Sequence, residues 1–420
     1  MLVSGGSKTC NGKEGMVTMD ASYFDIVIDR TEKSETYSSK WLAVAERFPG
    51  YDPQGVLPMW VADMDFRCPP EVIDAVKKRA EHGIYGYTDS SLVRKFIEAG
   101  IAWFQRRYGW EADPDWGFFT PGVVPVINAA VQEFSNPGGG IIIQSPVYYP
   151  FADGPRNNGR VLKHNRLIEK DGCYEVDFAN LEELASDPDT RLFILCHPHN
   201  PVGRVWAREE LKKMCNICVK HDVIILSDEI HADLILNGQK HVPAAALGEE
   251  IANHVIATYA PSKTFNLAGL GASVIIAPNA ELRERMKKRV LANRLPASNV
   301  FGPLAGEVAY RTGDSYVDAL VEYVGANMDY VVDFCKQNLP KIITRKSEGT
   351  YMIWIDLRGL GLCAEGANAF VIEKAKIAGD FGTWFGPGGE GFVRLNLACP
   401  RKIVEQAMGQ LKAAYDKLAK

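Results

Sequence analysis

The middle of the chain contains five short apolar runs rich in β-branched residues, each of a length typical of a strand. A run that is apolar at nearly every position predicts a strand buried on both faces rather than one with a solvent-exposed face. The five runs are Gly140–Ser145, Arg191–Cys196, Val223–Ser227, His254–Tyr259 and Ala272–Ala277.

Between two of these runs lies a segment with helical periodicity, Arg208–His221. Its apolar residues recur three and four positions apart, which places them on one face of a helix. A helix that links two buried strands predicts a crossover connection and hence a mostly parallel sheet. Cys215 and Cys218 have the spacing of a redox or zinc pair, but they fall on this apolar face without a second pair downstream. We interpret both cysteines as core residues.

The pattern changes after about Pro303. Long helical patterns surround two alternating, strand-like runs, which predicts a second, smaller α+β unit. The helices are expected at Tyr316–Leu339, Ala367–Ala378 and Ile403–Leu418, and the strands at Gly349–Asp356 and Gly391–Leu397. We expect the N-terminal segment to join this unit, so that residues 21–65 and 304–420 form a small domain and residues 66–303 a large one. Residues 1–20 are polar and are interpreted as a flexible tail.

Composition narrows the functional classes. The 420 residues carry 47 basic and 52 acidic side chains, and no basic stripe interleaved with aromatic residues occurs, so nucleic-acid binding is not expected. No apolar run reaches 18 residues and no signal peptide is recognised, so membrane insertion is not expected either. Nine cysteines, mostly isolated, indicate a reducing compartment such as the cytoplasm.

Candidate chemistry follows the predicted strands. In an open parallel sheet, ligands bind beyond the carboxyl ends of the strands, so the first polar residues after each run are the candidates. Lys263 follows the fourth run; burial there would lower the pKa of its ammonium and leave an amine able to form a Schiff base with an aldehyde. Asp228 follows the third run. Taken singly, each residue has an ordinary alternative: Lys263 could be a surface-loop lysine, and Asp228 could cap a helix.

Three further features point to an anionic, aromatic ligand. Gly122, Val123 and Val124 open an apolar helix, whose first amides suit a phosphate. Tyr148 follows a strand and is placed to stack on a ring. Arg394 lies in a half-apolar strand and needs an anion if it is buried. The alternatives are a plain strand-to-helix turn, a packed tyrosine and an exposed ion pair. Together with Lys263 and Asp228, these features are what pyridoxal 5′-phosphate (PLP) requires.

The order of these motifs resembles the fold-type-I aminotransferase superfamily from about Asp25 to Ala419. Several strings are similar to its branch of cystathionine β-lyases and cysteine C–S lyases, the MalY/PatB branch. The strings are Ile28–Arg30, Ser39–Trp41, Leu57–Phe66, Tyr85–Thr88, His199–Trp206, Ser227–His231 and Ala260–Asn266. The resemblance implies an α/β fold with a mostly parallel central sheet in a large PLP domain and a smaller α+β domain built from both chain ends.

The resemblance also implies roles for individual residues. Lys263 would bind the cofactor aldehyde and later act as the base at the substrate Cα, and Asp228 would keep the pyridine nitrogen protonated. The further assignments are Asn200 to the phenolic oxygen, Tyr148 to ring stacking, the Val123 and Val124 amides to the phosphate, Arg394 to the substrate carboxylate, Tyr149 to the substrate, and Tyr87 to the phosphate of a neighbouring subunit. The last assignment implies a homodimer with shared sites.

Three positions depart from the broader aminotransferase pattern. His231 stands where many aminotransferases have tyrosine, as in the lyase branch; it is either a contact to the phenolic oxygen or a packed histidine. Ala260 replaces the usual serine and Gly271 the usual arginine, so phosphate anchoring must differ in part. We expect Ser262 to contribute to it.

The favoured function is PLP-dependent β-elimination from a sulfur-containing amino acid, giving a thiol, pyruvate and ammonia. Cystathionine and cysteine are the candidate substrates. A class I/II aminotransferase is the alternative. The two reactions differ in whether the intermediate loses the β-substituent before it is reprotonated at C4′ of the cofactor, and details of the pocket decide this. A regulatory protein on a PLP-enzyme fold is a third possibility, although the presence of Lys263, Asp228, Asn200 and Arg394 argues against a purely vestigial site. No metal is expected.

Overall fold

The computed structural model describes residues 19–32, 36–236, 238–295 and 299–418. The expected tail, residues 1–20, lies outside the described residues except for Met19 and Asp20. The strands are β1 Leu57–Pro58, β2 Gly117–Thr120, β3 Gly140–Ile143, β4 Val161–His164, β5 Ile168–Lys170, β6 Cys173–Glu175, β7 Thr190–Cys196, β8 Ile224–Asp228, β9 Val255–Tyr259, β10 Ser273–Ile276, β11 Ile343–Thr344, β12 Met352–Asp356, β13 Ile377–Ala378, β14 Asp380–Phe381 and β15 Phe392–Asn396.

Fifteen α-helices of four or more residues connect and flank these strands among the described residues. They are α1 Ser39–Leu42, α2 Val44–Arg47, α3 Pro70–Glu81, α4 Ser90–Tyr108, α5 Val123–Phe134, α6 Pro150–Asn157, α7 Phe178–Ser186, α8 Arg208–Lys220, α9 Glu249–Ala252, α10 Pro261–Thr264, α11 Ala280–Ala292, α12 Phe301–Thr312, α13 Asp314–Asn338, α14 Ala364–Ala369 and α15 Arg401–Leu418. Local chemistry sets their ends: the Asp89 side chain caps the first turn of α4, and Gly109, with φ of 71°, ends it.

A seven-stranded sheet in the order β2-β10-β9-β8-β7-β3-β4 forms the centre of the molecule. The five predicted strands, which lie inside this sheet, are largely buried on both faces, as the continuous apolar runs predict. Ile141 and Ile143 of β3 pack into one apolar cluster, and Ile142 packs into the other. The predicted α/β fold with a mostly parallel central sheet is therefore confirmed. The crossover helix is α8, and Cys215 and Cys218 are fully buried on it with free thiols.

One of the five predicted strands runs against its neighbours. β10 pairs antiparallel with both β9 and β2. A parallel return would need a long crossover, whereas the link from β9 to β10 contains only α10 and a short 3₁₀ turn. The chain therefore reverses at the carboxyl end of β9, and Lys263 lies at this reversal.

A second, antiparallel sheet, β11-β12-β15-β14, is packed with α13 and α14. The two predicted strands are present as β12 and β15. The predicted helix Ala367–Ala378 is wrong at both ends: α14 begins at Ala364, and a π-helical turn, Phe370–Lys374, ends the helical segment. Ile377–Ala378 instead pairs in parallel with Leu57–Pro58, which ties the N-terminal segment to the C-terminal part of the chain. The domain boundaries at 65/66 and 303/304 stay a prediction.

Candidate active site

A partly enclosed cleft, lined mainly by apolar surface, lies at the carboxyl ends of the central strands, where small-molecule ligands bind in sheets of this kind. It brings together eight of the residues singled out from the sequence. They are Val123, Val124, Tyr148, Asn200, Asp228, His231, Ser262 and Lys263. All eight lie at or just beyond the carboxyl ends of five strands, β2, β3, β7, β8 and β9, so the sheet topology itself brings them together.

Lys263 is held in α10, directly after β9. Its Nζ donates a hydrogen bond to the Ala62 carbonyl oxygen at 2.7 Å. Desolvation in the cleft, reinforced by the positive charge of Arg394, lowers the pKa of the Lys263 ammonium to about 8. A substantial fraction of the amine is thus uncharged near neutral pH, as a nucleophile requires.

Asp228 is the last residue of β8 and is 5% exposed. Its Oδ1 accepts hydrogen bonds from the Ile230 amide at 3.2 Å and from the Thr258 hydroxyl at 3.5 Å. These weak contacts do not offset burial, which raises the pKa of the Asp228 carboxyl to about 7. Burial therefore disfavours the ionised form of Asp228, which would be stabilised by a cationic ligand atom in the cleft.

This electrostatic penalty predicts a pH dependence for the cofactor-free protein. The folded state raises the pKa of Asp228 from 3.8 to about 7, so between these values the folded protein retains the proton that the unfolded chain loses. Asp228 should thus lower the free energy of unfolding progressively as the pH rises from about 4 to about 7. Relative to wild type, Asp228→Asn is expected to gain stability over this window, by up to about 1.4 kcal/mol per pH unit. Urea unfolding at pH 4 and 7.5 measures it, and a pH-independent difference would contradict it.

Asn200 and Arg394 meet at the edge of the cleft. Arg394 comes from β15 of the second sheet and is 2% exposed. Its Nη1 donates to Asn200 Oδ1 at 2.8 Å, and its Nη2 donates to the Trp60 carbonyl oxygen at 3.0 Å and to Asp380. Asp380 stands opposite Arg394 in the β14–β15 pair. A role for this carboxylate is not apparent from the sequence motifs; its signal is a charged residue in an otherwise apolar stretch, Ile377–Phe381.

Two tyrosines follow β3. The ring centroids of Tyr148 and Tyr149 are 5.1 Å apart. The Tyr148 amide donates to the Asn200 carbonyl oxygen at 3.1 Å, which fixes the position of Tyr148 beside the strand ends. Burial raises the pKa of both phenols, so both remain protonated at neutral pH. Tyr148 lines the cleft, and Tyr149 lies next to it.

The opposite end of the cleft is built from backbone amides and hydroxyls. Gly122 precedes α5, whose first residues are Val123 and Val124. Ser262 and Ser273 line the same end, and the Ser273 hydroxyl is buried without a hydrogen-bond partner among the described residues. An unpartnered buried hydroxyl beside a helix N-terminus suits an anion. The sequence analysis did not identify Ser273, since serine is common inside strands.

The two departures in this region are visible in the structure. Gly271 lines the cleft with φ of 58°, and a Cβ there would come within 3.2 Å of the Pro121 carbonyl oxygen. Ala260 is buried directly before α10 and offers no polar group. Neither position can reach a ligand with a side-chain hydrogen bond.

His231 is 3% exposed and lines the cleft. Burial, together with the charges of Lys263 and Arg394, holds the pKa of its imidazole well below the ordinary value, so the ring is neutral. Its Nδ1 has no partner among the described residues, while its ring packs edge-on to Tyr351 at 5.9 Å. Both interpretations of His231 thus stay predictions.

Tyr87 does not reach the cleft within one chain. It is fully exposed in the connection between α3 and α4, next to the exposed side chains of Ile84 and Tyr85. Its assigned contact requires a second subunit and stays a prediction.

The segment from Met59 to Phe66 reaches the cleft through Ala62, a contribution that the sequence motifs do not indicate. Ala62 contributes the carbonyl oxygen that accepts from Lys263 and also from the Tyr351 hydroxyl at 2.8 Å. The segment is anchored by Asp65, which binds the fully buried Lys40 ammonium at 2.6 Å. A lysine buried in this way requires such a partner.

Comparison with known proteins agrees with this architecture. The family model for aminotransferase class I and II matches residues 55–411. The chain belongs to this family. It is 43% identical over 385 residues to cystathionine β-lyase PatB of Bacillus subtilis, covering 92% of this chain and 98% of that protein. It is 30% identical over 389 residues to protein MalY of Escherichia coli, covering 92% and 97%.

Solved structures show the same relationship. The crystal structure of cystalysin from Treponema denticola, which contains a pyridoxal 5′-phosphate cofactor, matches with a TM-score of 0.89 and 38% identity over 94% of this chain and 99% of that chain. A PLP-bound C–S lyase from Staphylococcus hominis matches with a TM-score of 0.83 and 30% identity over 93% and 97%. The resemblance predicted from the sequence motifs is confirmed. No helix among the described residues is long and apolar enough to cross a membrane.

Proposed function

We propose that this chain is a PLP-dependent carbon–sulfur lyase that cleaves a sulfur-containing amino acid by β-elimination, releasing a thiol, pyruvate and ammonia. The observation that carries the proposal is the pairing, in one cleft, of a lysine with a lowered pKa and a buried carboxylate with a raised pKa. The similarity to cystathionine β-lyase PatB supports the reaction type, and cystathionine and cysteine are the proposed substrates.

The residues of the cleft fit PLP. Asp228 lacks a cationic partner in hydrogen-bond contact and would pair with a protonated pyridine nitrogen. At the other end, the first amides of α5, at Val123 and Val124, and the hydroxyls of Ser262 and Ser273 would bind the phosphate. These hydroxyls would provide the anchoring that Ala260 and Gly271 do not.

The remaining contacts place the ring and the substrate. Tyr148 would stack on the pyridine, and Asn200 would donate its amide to the phenolic oxygen, since its carbonyl oxygen is engaged by Arg394. His231 is proposed as a neutral donor near the same oxygen. Arg394 would bind the substrate α-carboxylate, with Tyr149 beside it.

PLP, when bound, supplies an electron sink that acidifies the substrate Cα–H bond. Lys263 is placed to take the Cα proton, because its amine lies in the cleft and its lowered pKa leaves it partly unprotonated at neutral pH. Asp228, as an anion beside the ring nitrogen, would hold a proton there. Arg394 would fix the orientation of Cα through the carboxylate.

Product analysis tests the reaction type. Cystathionine, cysteine and alanine are each incubated with the purified protein, with and without a keto acid. We expect one equivalent of pyruvate per thiol from the two sulfur substrates without a keto acid, and no pyruvate from alanine under that condition. Strict dependence of turnover on the keto acid would establish an aminotransferase instead, the alternative that the family match keeps open.

The proposal includes a homodimer in which Tyr87 completes the phosphate site of the partner. Its full exposure beside Ile84 and Tyr85 supports an interface in this region. Location in the cytoplasm is also proposed, supported by the eight free cysteines that the structure describes.

Tyr87→Phe is expected to weaken PLP binding by about tenfold, the loss of one hydrogen bond to a charged group. Equilibrium dialysis of PLP measures the effect, and sedimentation gives the subunit number. Tyr330→Phe, a change on the outer helix α13, is the matched control and should leave PLP affinity unaltered. A fully active monomer, or equal PLP affinities for the two variants, would rule out the shared site.

A further inference from the structure

Three charged side chains form a cluster beside the cleft: Arg394 on β15, Asp380 on β14 and Arg47 at the end of α2. Arg394 and Asp380 are each 2% exposed and form a salt bridge, whereas Arg47 is partly exposed. Arg47 makes no ion pair with any described residue. Its guanidinium lies 3.9 Å from the ring centroid of Trp384 and 5.2 Å from that of Tyr149.

The hydrogen bonds of Arg394 leave no free edge for a carboxylate. A guanidinium binds a carboxylate bidentately either through its two Nη atoms or through Nε and Nη2, and both edges include Nη2. Both N–H groups of Nη2 are engaged, one by the Trp60 carbonyl oxygen and one by Asp380. A substrate carboxylate therefore has to displace one of these two acceptors.

Asp380 is the acceptor that can yield. The Trp60 backbone is held in place because its indole donates to the Lys40 carbonyl oxygen at 3.0 Å and the preceding Met59 amide donates to the Ala378 carbonyl oxygen at 2.8 Å. Asp380 is a side chain whose Oδ1 is buried without a partner. It also has the charge and shape of the group that would replace it.

A destination for the displaced carboxylate is present. Arg47 has a buried Nε that finds no hydrogen-bond partner within the described parts of the chain, and its charge acts on Asp380. Burial raises the pKa of Asp380, whereas Arg394 and Arg47 lower it, so each arginine favours the ionised carboxylate. With a carboxylate bound, the charges would alternate in sign along the row Arg47, Asp380, Arg394 and ligand, so that each charge has an opposite one beside it.

We propose that Asp380 is a specificity-determining residue that occupies Arg394 in the free enzyme and passes to Arg47 when the α-carboxylate of the substrate binds. The inference rests on the proposed role of Arg394 in carboxylate binding. Ligands with an amide in place of the carboxylate lack the charge that displaces Asp380, so the exchange selects amino acids over their amides and over simple amines.

The test compares L-alanine with L-alaninamide as ligands of the PLP-loaded enzyme, by isothermal titration calorimetry. In Asp380→Asn the competing charge is absent, so the Kd for L-alanine should fall by about tenfold or more, whereas the Kd for L-alaninamide should change by less than about twofold. Unchanged or weaker binding of L-alanine by Asp380→Asn would overturn the proposal.

Arg47→Gln provides a second test, in which the receiving cation is removed both in wild type and in Asp380→Asn. Loss of the receiving cation should weaken L-alanine binding by about tenfold in the wild-type background and by less than about twofold in the Asp380→Asn background. L-Alaninamide should bind this variant as it binds wild type. Equal losses in both backgrounds, or no loss in either, would overturn the handover to Arg47. Arg311→Gln, on the exposed face of α12, is the matched control.

Arg394→Gln distinguishes the proposed carboxylate-binding role of Arg394 from the proposed exchange of Asp380. If this variant binds L-alanine as wild type does, the proposed carboxylate role of Arg394 fails and the inference fails with it. If it loses L-alanine affinity while Asp380→Asn shows no gain, the carboxylate role stands and only the inference about Asp380 is overturned.

Discussion

Lys263→Ala is expected to lower kcat/KM for β-elimination by at least about 10³-fold, because it removes both the amine that would bind the cofactor and the base at Cα. Among the described residues, the fully buried lysine Lys40 is not a substitute, because its ammonium is held by Asp65. PLP should still bind through the contacts at Asp228 and the helix N-terminus, but without a covalent bond to the protein.

Borohydride reduction followed by mass spectrometry measures this outcome directly. Wild type should retain one fixed cofactor per chain, on the peptide that contains Lys263, and Lys263→Ala should retain none. Lys374→Ala is the matched control, because Lys374 is an exposed lysine that does not line the cleft. A fixed cofactor in Lys263→Ala would place the covalent bond at another lysine and overturn the assignment.

Much of the central sheet is predictable from the sequence because a strand buried on both faces must be apolar at nearly every position. Apolar runs such as Gly140–Ser145 can be identified without tertiary information. The same reasoning locates Asp228 and Lys263, since a polar residue at the carboxyl end of a buried strand is placed by the sheet itself.

The direction of β10 is less accessible to such reasoning. Its run, Ala272–Ala277, is as apolar as the parallel strands, and only the short link after β9 distinguishes it. The end of the helix predicted at Ala367–Ala378 fails for a related reason: Ile377 and Ala378 fit an apolar helix face equally well, and the deciding contact is the pairing with Leu57–Pro58, more than 300 positions away.

Contacts between distant segments also explain the site residues that were missed. Asp380 becomes a candidate only when β14 is known to pair beside Arg394. Ala62 contributes a backbone oxygen, which every residue type carries, so its side chain gives no signal. Ser273 becomes a candidate because its hydroxyl is buried and unpartnered beside α5. Partnering and burial of this kind depend on the assembled fold.

Arg394→Ala is expected to have two separable effects. Affinity for the substrate should fall by about 2–5 kcal/mol, as for the loss of one partner of a buried charge pair. The free energy of unfolding should fall as well, by up to about 3–5 kcal/mol, because Asp380 would lose its buried salt bridge to Arg394 and would keep only the partly exposed Arg47 as a cationic neighbour. Calorimetric titration with L-alanine measures the first effect, and urea unfolding of the same preparation measures the second.

The double variant Arg394→Ala/Asp380→Asn separates binding from folding. Replacing the Asp380 carboxylate by an amide should recover a large part of the lost stability, since a neutral amide costs less to bury than a carboxylate that has lost its salt bridge. Substrate affinity should not recover, because no cation remains to bind the α-carboxylate. Recovery of both would mean that Arg394 acts on the substrate only through the stability of the fold, and recovery of neither would mean that the Asp380 charge is not what destabilises the single variant.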